Sequence, residues 1–155
     1  MDQHLENKVC LITGATNGIG EESAKELNKL KEELLKDSGR EATMIIADLS
    51  SQDQVKKAAE QFLSLDKPLD ILLNNAGIMN RERNETVDGL EEVFSVNHLA
   101  YFTFTLMLSE KLKQTEDSRV INVASGAHQF VKNMNFDDLQ SKENYKPMQV
   151  YGQSK

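Results

Sequence analysis

The chain has 155 residues, 39% of them hydrophobic and 28% charged, with a formal net charge of −7. That length fits one domain, and the composition is that of a globular protein rather than a disordered one. The acidic balance argues against general nucleic-acid binding, which selects basic faces, and no run of about 18 apolar residues is present to span a membrane.

The N-terminal stretch MDQHLENK is polar and lacks the apolar core of a signal peptide. Cys10 is the only cysteine, so no internal disulfide can form and a reducing compartment, the cytoplasm, is the expected location. Lys8–Ala15 reads as a short buried strand running into a glycine turn. Ile19 to about Lys36 is rich in Glu, Lys, Leu and Ala and reads as a helix, closed by Asp37-Ser38-Gly39. Thr43–Ala47 is predicted as a second strand. Ser50 or Ser51 then caps a helix through about Leu65, with Val55, Ala58, Ala59 and Phe62 facing inward. Leu69–Asn74 is predicted as a third strand, Val87 to Lys113 as a long helix and Arg119–Ala124 as a fourth strand. The middle of the long helix, VNHLAYFTFTLML, is apolar nearly all round, which predicts burial between layers. Ser125 to Pro147 reads as mostly irregular, and a last helix begins near Met148.

Strands alternating with helices predict an α/β fold with a parallel sheet and right-handed crossovers. Ligands in such folds bind at the carboxyl ends of the strands, where the polar and glycine residues of this chain fall. The first group is Thr13-Gly14-Ala15-Thr16-Asn17-Gly18-Ile19-Gly20, placed between a strand and a helix as a dinucleotide loop requires. Gly14 permits a tight turn, Gly18 lets backbone approach phosphate, and Gly20 lets the helix pack closely; the helix N-terminus offers free N–H groups to a pyrophosphate. A glycine-rich connection without a ligand would carry the same residues. So too, taken singly, Asn74-Asn75-Ala76-Gly77 is an ordinary turn, Asn97 a satisfied helix polar group, Ser125 a cap, and Tyr151 with Lys155 a helix-surface pair.

Taken together and in order, these pieces resemble the short-chain dehydrogenase/reductase family over the whole chain: G-x-x-x-G-x-G, NNAG, Asn97, Ser125, and Y-x-x-x-K at Tyr151–Lys155. The resemblance implies a Rossmann-like doubly wound parallel sheet and an oxidoreductase that moves hydride between NAD(P)(H) and an alcohol or carbonyl. It assigns catalytic roles to Asn97, Ser125, Tyr151 and Lys155. It assigns cofactor contacts to Gly14, Thr16, Asn17, Gly18, Ile19, Gly20, Asp48, Leu49, Asn75, Ala76 and Gly77, and to Tyr151 and Lys155 as well. A free tyrosine has a pKa of about 10, too high for a base at neutral pH, and a nearby ammonium lowers it. NHLAYF, SGAH and NFDDLQSKENYKPMQVYGQSK are similar to the subgroup of retinol dehydrogenases and the WW-domain oxidoreductase, whose ligands are often hydrophobic alcohols and aldehydes. That subgroup favours NADP over NAD. His98 and His128 belong to this resemblance, and no metal-site spacing accompanies them.

Two departures from the family pattern shape the expectation. Only one helix separates the first two predicted strands, so the family's second strand, and the loop that distinguishes NAD from NADP, are missing between Gly20 and Asp48. The predicted sheet therefore has about four strands and is incomplete. Closing the gap would let Thr43–Ala47 pair directly with Lys8–Ile12, shift Asp48 toward the ribose hydroxyls and tilt binding toward NAD. The family also continues beyond Lys155 with further strands and a substrate loop. The expected outcome is one partial NAD(P)-binding domain, residues 1–155, that is poorly active and self-associates through its uncovered long helix. The alternatives are a non-catalytic remnant that binds nucleotide weakly or meets a protein partner, and, last, a sugar-nucleotide epimerase, which also uses Y-x-x-x-K.

Overall fold

A computed structural model describes residues 8–15, 32, 33, 35, 36, 39 and 42–155. Three short parallel strands form one sheet in the order β1 (Cys10–Ile12), β2 (Ile71–Asn74), β3 (Arg119–Asn122). Leu11 pairs with Leu72, and Leu72 with Val120. All pairs are parallel, so each crossover must leave the sheet and return, and helices supply the return.

The first return is α1 (Gln52–Ser64). Ser51 caps it by accepting from the Gln54 N–H, and Val55, Ala58, Ala59 and Phe62 form its buried face, as the sequence predicts. The second return is built from α2 (Glu92–Phe94), a π-helical turn (Ser95–Leu99) and α3 (Ala100–Lys113). The two helical units meet over Leu69 and Leu72, and Phe104, Leu108 and Leu112 of α3 close this core. Full burial of one such side chain contributes about 1.5–3 kcal/mol. Two 3₁₀ turns (Gly126–Phe130 and Phe136–Asp138) precede α4 (Pro147–Ser154). Proline at its first turn needs no N–H partner there.

Several expectations are corrected. Thr43–Ala47 is not a strand and makes no ladder hydrogen bonds with Lys8–Ile12, so the sheet has three strands among the described residues, not four. Ile45, Ala47 and Leu49 instead pack against the core beside α1. Closing the gap would be favoured only if the strand edges were buried. Cys10 is exposed, and Ile12 and Ile46 are 46% and 70% exposed, so water can satisfy these backbone groups and the penalty for an open edge does not arise. The shift of Asp48 toward a ribose position falls with it. The first strand is accordingly shorter and less buried than Lys8–Ala15. The long helix begins at Glu92, not Val87, because the fully buried carboxylate of Glu91 caps it by accepting from the Val93 and Phe94 N–H groups. It is not buried all round: Phe102 and Leu106 are each 61% exposed.

Of the first predicted helix, residues 32, 33, 35 and 36 are helical, and Gly39, at φ +68°, donates to the Leu35 carbonyl as a helix-ending glycine does. The remainder, including Thr16, Asn17, Gly18, Ile19 and Gly20 of the glycine loop, lies outside the described residues.

Candidate active site

The carboxyl ends of β1 and β2 are sewn together by two side chains. Thr13, buried at the end of β1, accepts at Oγ1 from the N–H groups of Asn75 (3.0 Å) and Ala76 (3.1 Å). Asn75 Nδ2 answers by donating to the carbonyls of Thr13 (3.0 Å) and Gly14 (3.1 Å). Gly14 has φ +67°, and a Cβ there would stand 2.5 Å from Cα of Ala76. The start of the glycine loop therefore lies directly on the NNAG turn. Thr13 is a site organiser that sequence reasoning passed over; its signal was a polar residue closing an apolar strand just before a glycine.

Asn74 is fully buried and donates to Thr105 Oγ1 (3.2 Å) and Asn122 Oδ1 (2.8 Å), tying β2 to α3 and β3. Its own Oδ1 has no partner among the described residues.

Asn97 sits in the π-helical turn, 1% exposed. Its Oδ1 accepts from the Ile78 N–H at 2.8 Å, and its Nδ2 donates to the Ile78 carbonyl and to Ser154 Oγ, both at 2.9 Å. The amide thus locks the segment after NNAG onto α4. π-Turns of this kind concentrate at functional sites. On α4, Gly152 packs so closely on the turn after Ser125 that a Cβ would meet the Ala127 carbonyl at 2.6 Å. Ser125 caps that turn, its Oγ accepting from the Ala127 N–H at 3.2 Å. Glycine at 152 thereby brings the Ser125 turn against the helix that carries Tyr151 and Lys155.

Lys155 reaches back under the NNAG turn. Its Nζ donates to Tyr101 Oη (2.9 Å), the Val123 carbonyl (3.2 Å) and the Ala76 carbonyl (3.4 Å). Burial pulls its pKa below the ordinary lysine value. A Cβ at Gly77 would come within 2.9 Å of Nζ. Tyr151 is half-buried, and its hydroxyl makes no hydrogen bond among the described residues, to Lys155 or to any other group. Asp48 stands apart from this cluster, exposed, its Oδ1 accepting from the Ser50 N–H and its own N–H donating to Gln54. Leu49 packs against the core. The structure therefore brings together Gly14, Asn75, Ala76, Gly77, Asn97 and Lys155, with Ser125 and Tyr151 joined through α4. No three His, Cys, Asp or Glu side chains among the described residues are grouped to hold a metal.

The model of the family described as short chain dehydrogenase matches residues 8–136. The chain belongs to this family. Mouse (Mus musculus) retinol dehydrogenase 12 is 37% identical over 169 residues, an alignment covering 97% of this chain and 53% of that protein. Human (Homo sapiens) polyprenol dehydrogenase is 34% identical, covering 96% of this chain and 52% of that protein. The chain thus spans about half the length of the curated relatives it matches. Among solved structures, an uncharacterised protein from Mycobacterium paratuberculosis superposes with a TM-score of 0.76 at 30% identity, over 97% of this chain and 58% of that one. A blue fluorescent protein from a metagenomic library, solved with NADPH, superposes at 0.75 with 24% identity, over 99% of this chain and 65% of that one.

As a short-chain dehydrogenase the chain is retinol dehydrogenase-like in sequence, and its sheet is an incomplete Rossmann-like one. No helix among the described residues is long and apolar enough to cross a membrane.

Proposed function

We propose that residues 1–155 are one partial NAD(P)-binding domain of a short-chain oxidoreductase acting on an alcohol or carbonyl, in the class of hydrophobic alcohols and aldehydes that the retinol and polyprenol dehydrogenase relatives are named for. The observation that carries this reading is the convergence on Lys155: its ammonium lies against the glycine of NNAG, held on carbonyls from β3 and the turn, while Asn97 fastens that turn to α4. The residues suit a nicotinamide nucleotide, because Gly14 and Gly77 keep side chains away from the end of β1 and from the lysine head.

When bound, the nucleotide supplies or accepts the hydride. Thr13, Gly14, Asn75, Ala76 and Gly77 line its path with backbone, and Gly18 and Gly20 are proposed for the phosphates, with Thr16, Asn17 and Ile19 beside them. Asp48 and Leu49 are proposed at the adenine end. Tyr151 donates a proton to a substrate carbonyl oxygen or removes one from an alcohol, and Ser125 hydrogen-bonds that oxygen. Lys155 favours the phenolate by its charge and holds the ribose hydroxyls. Asn97 keeps the turn in register and supports a water linking Lys155 to solvent. NADP is favoured over NAD on the subgroup resemblance. The single cysteine suits a reducing compartment, taken as the cytoplasm.

Catalysis by this chain alone is weak. Support comes from β1, whose edge opposite β2 is unpaired among the described residues. That open edge also favours a second reading, a non-catalytic chain that binds nucleotide weakly or meets a protein partner. Calorimetric titration of NADP and NAD into the purified chain, with a Gly18→Val control, tests the main reading: binding lost in the variant supports it, and equal heats from both proteins overturn it. Robust NADPH consumption with a retinal-type aldehyde, abolished in Tyr151→Phe, would overturn the weak activity.

A further inference from the structure

A buried hydroxyl stands behind Lys155 with no role in the scheme above. Tyr101, on α3 and 8% exposed, donates its Oη proton to the Ala76 carbonyl at 2.5 Å and accepts from Lys155 Nζ at 2.9 Å. The ammonium also lies 4.8 Å from the centroid of the Tyr101 ring. The other acceptors of Nζ are neutral backbone carbonyls. These groups border a cavity of about 330 Å³ that also touches Asn97, His98, Phe102 and Val123. Its titratable members are Tyr101 and Lys155 themselves and His98, with Tyr151 close by on the helix of Lys155; no carboxylate lines it.

We infer that Tyr101 is a positioning residue for Lys155, fixing the ammonium beside Ala76 and Gly77 through a neutral hydroxyl. A carboxylate in that place would hold the lysine equally well but would cancel the charge that the nucleotide ribose and the Tyr151 phenol require. A phenol gives direction without neutralisation. It also stays protonated: burial, and then the nearby Tyr151, push Tyr101 up to about 12. The inference rests on the oxidoreductase reading for the use made of that charge, but the holding itself is a property of the chain without cofactor.

The test reads the lysine directly. In protein labelled with ¹⁵N and ¹³C at lysine, the Lys155 side-chain signal, assigned with Lys155→Met, is titrated in wild type and in Tyr101→Phe. Losing an acceptor of the charged form lowers the Lys155 pKa in the variant by about one unit. An unchanged titration overturns the inference. Should Tyr101→Phe not fold, wild-type protein labelled at tyrosine Cζ serves: the Tyr101 signal, assigned by removing Tyr145 and Tyr151 in turn, moves as Lys155 titrates, and a Tyr101 signal that ignores that titration overturns the inference. Neither measurement uses nucleotide. A shifted Lys155 in a chain that binds no NADPH supports the holding contact and overturns the oxidoreductase reading instead.

Discussion

A methyl group added at Gly77 would stand 2.9 Å from Nζ of Lys155, inside van der Waals contact. The clash falls on the flexible end of a long side chain, and Gly77 is not in the left-handed region, so Gly77→Ala requires no backbone change. The variant is expected to fold with stability within about 1 kcal/mol of wild type while Lys155 is driven off its carbonyls. NADPH affinity, measured by calorimetry, falls about tenfold, equivalent to 1.4 kcal/mol. Unchanged affinity would mean that Lys155 takes no part in holding the nucleotide.

Gly14→Ala is the opposite case. Its φ of +67° disfavours any L side chain, and the new Cβ would meet the backbone of Ala76 at 2.5 Å, where nothing flexible can yield. Strain of about 1–3 kcal/mol is expected, read as a lower urea midpoint with an unaltered slope. A wild-type midpoint would show that the end of β1 and the NNAG turn are not in contact.

The carboxylate of Asp70, just ahead of β2, accepts from the Val9 N–H and from Lys8 Nζ, both at 2.8 Å. The Lys8 hydrogen bond first, and then the Val9 N–H, hold its pKa below the usual value. A carboxyl depressed in the folded state stabilises above its unfolded value, and that contribution is lost as pH falls below about 4 and on through the folded value. Asp70→Asn should therefore be less stable than wild type at neutral pH, and the two should converge in acid. Denaturation midpoints measured from pH 7 down to pH 2 check this; a constant gap between the two proteins refutes it.

Phe102 and Leu106 lie one helical turn apart on the solvent side of α3, with Val120 and Ile121 of β3 also exposed. We expect the chain to self-associate through this surface, and Phe102→Ser with Leu106→Ser to shift it toward monomer. Sedimentation velocity measures the change. A wild-type chain that is monomeric at tens of micromolar concentration would exclude the association.

The sequence was most legible where one local signal and one periodicity agreed. A serine at 50 or 51 and the Val55, Ala58, Ala59, Phe62 stripe specify a capped amphipathic helix without outside help; α1 takes Ser51 as its cap and buries those four residues. Tyr101 was hidden because it stands in VNHLAYFTFTLML, where a tyrosine reads as one more apolar residue; only the fold reveals that its hydroxyl meets Lys155. Glu91 was missed for a related reason: glutamate is a poor cap in isolation, and burial makes it one here. Thr43–Ala47 has a strand's composition, but strand pairing is a property of two segments, and among the described residues none pairs with it. The NNAG turn was readable as a motif, whereas its anchoring by Thr13 depends on a hydrogen bond across 62 positions.

The all-parallel sheet has a kinetic consequence. The Val9–Asp70 contact joins residues 61 positions apart, and the Asn74–Asn122 contact joins residues 48 apart. Nothing local nucleates these pairings, so loop-closure entropy must be met before any ladder forms. The helix α1, with its own cap, can form early, while the sheet and the turn it carries assemble late. During that interval the strand segments are open to one another across molecules, and refolding yield should fall steeply as protein concentration rises.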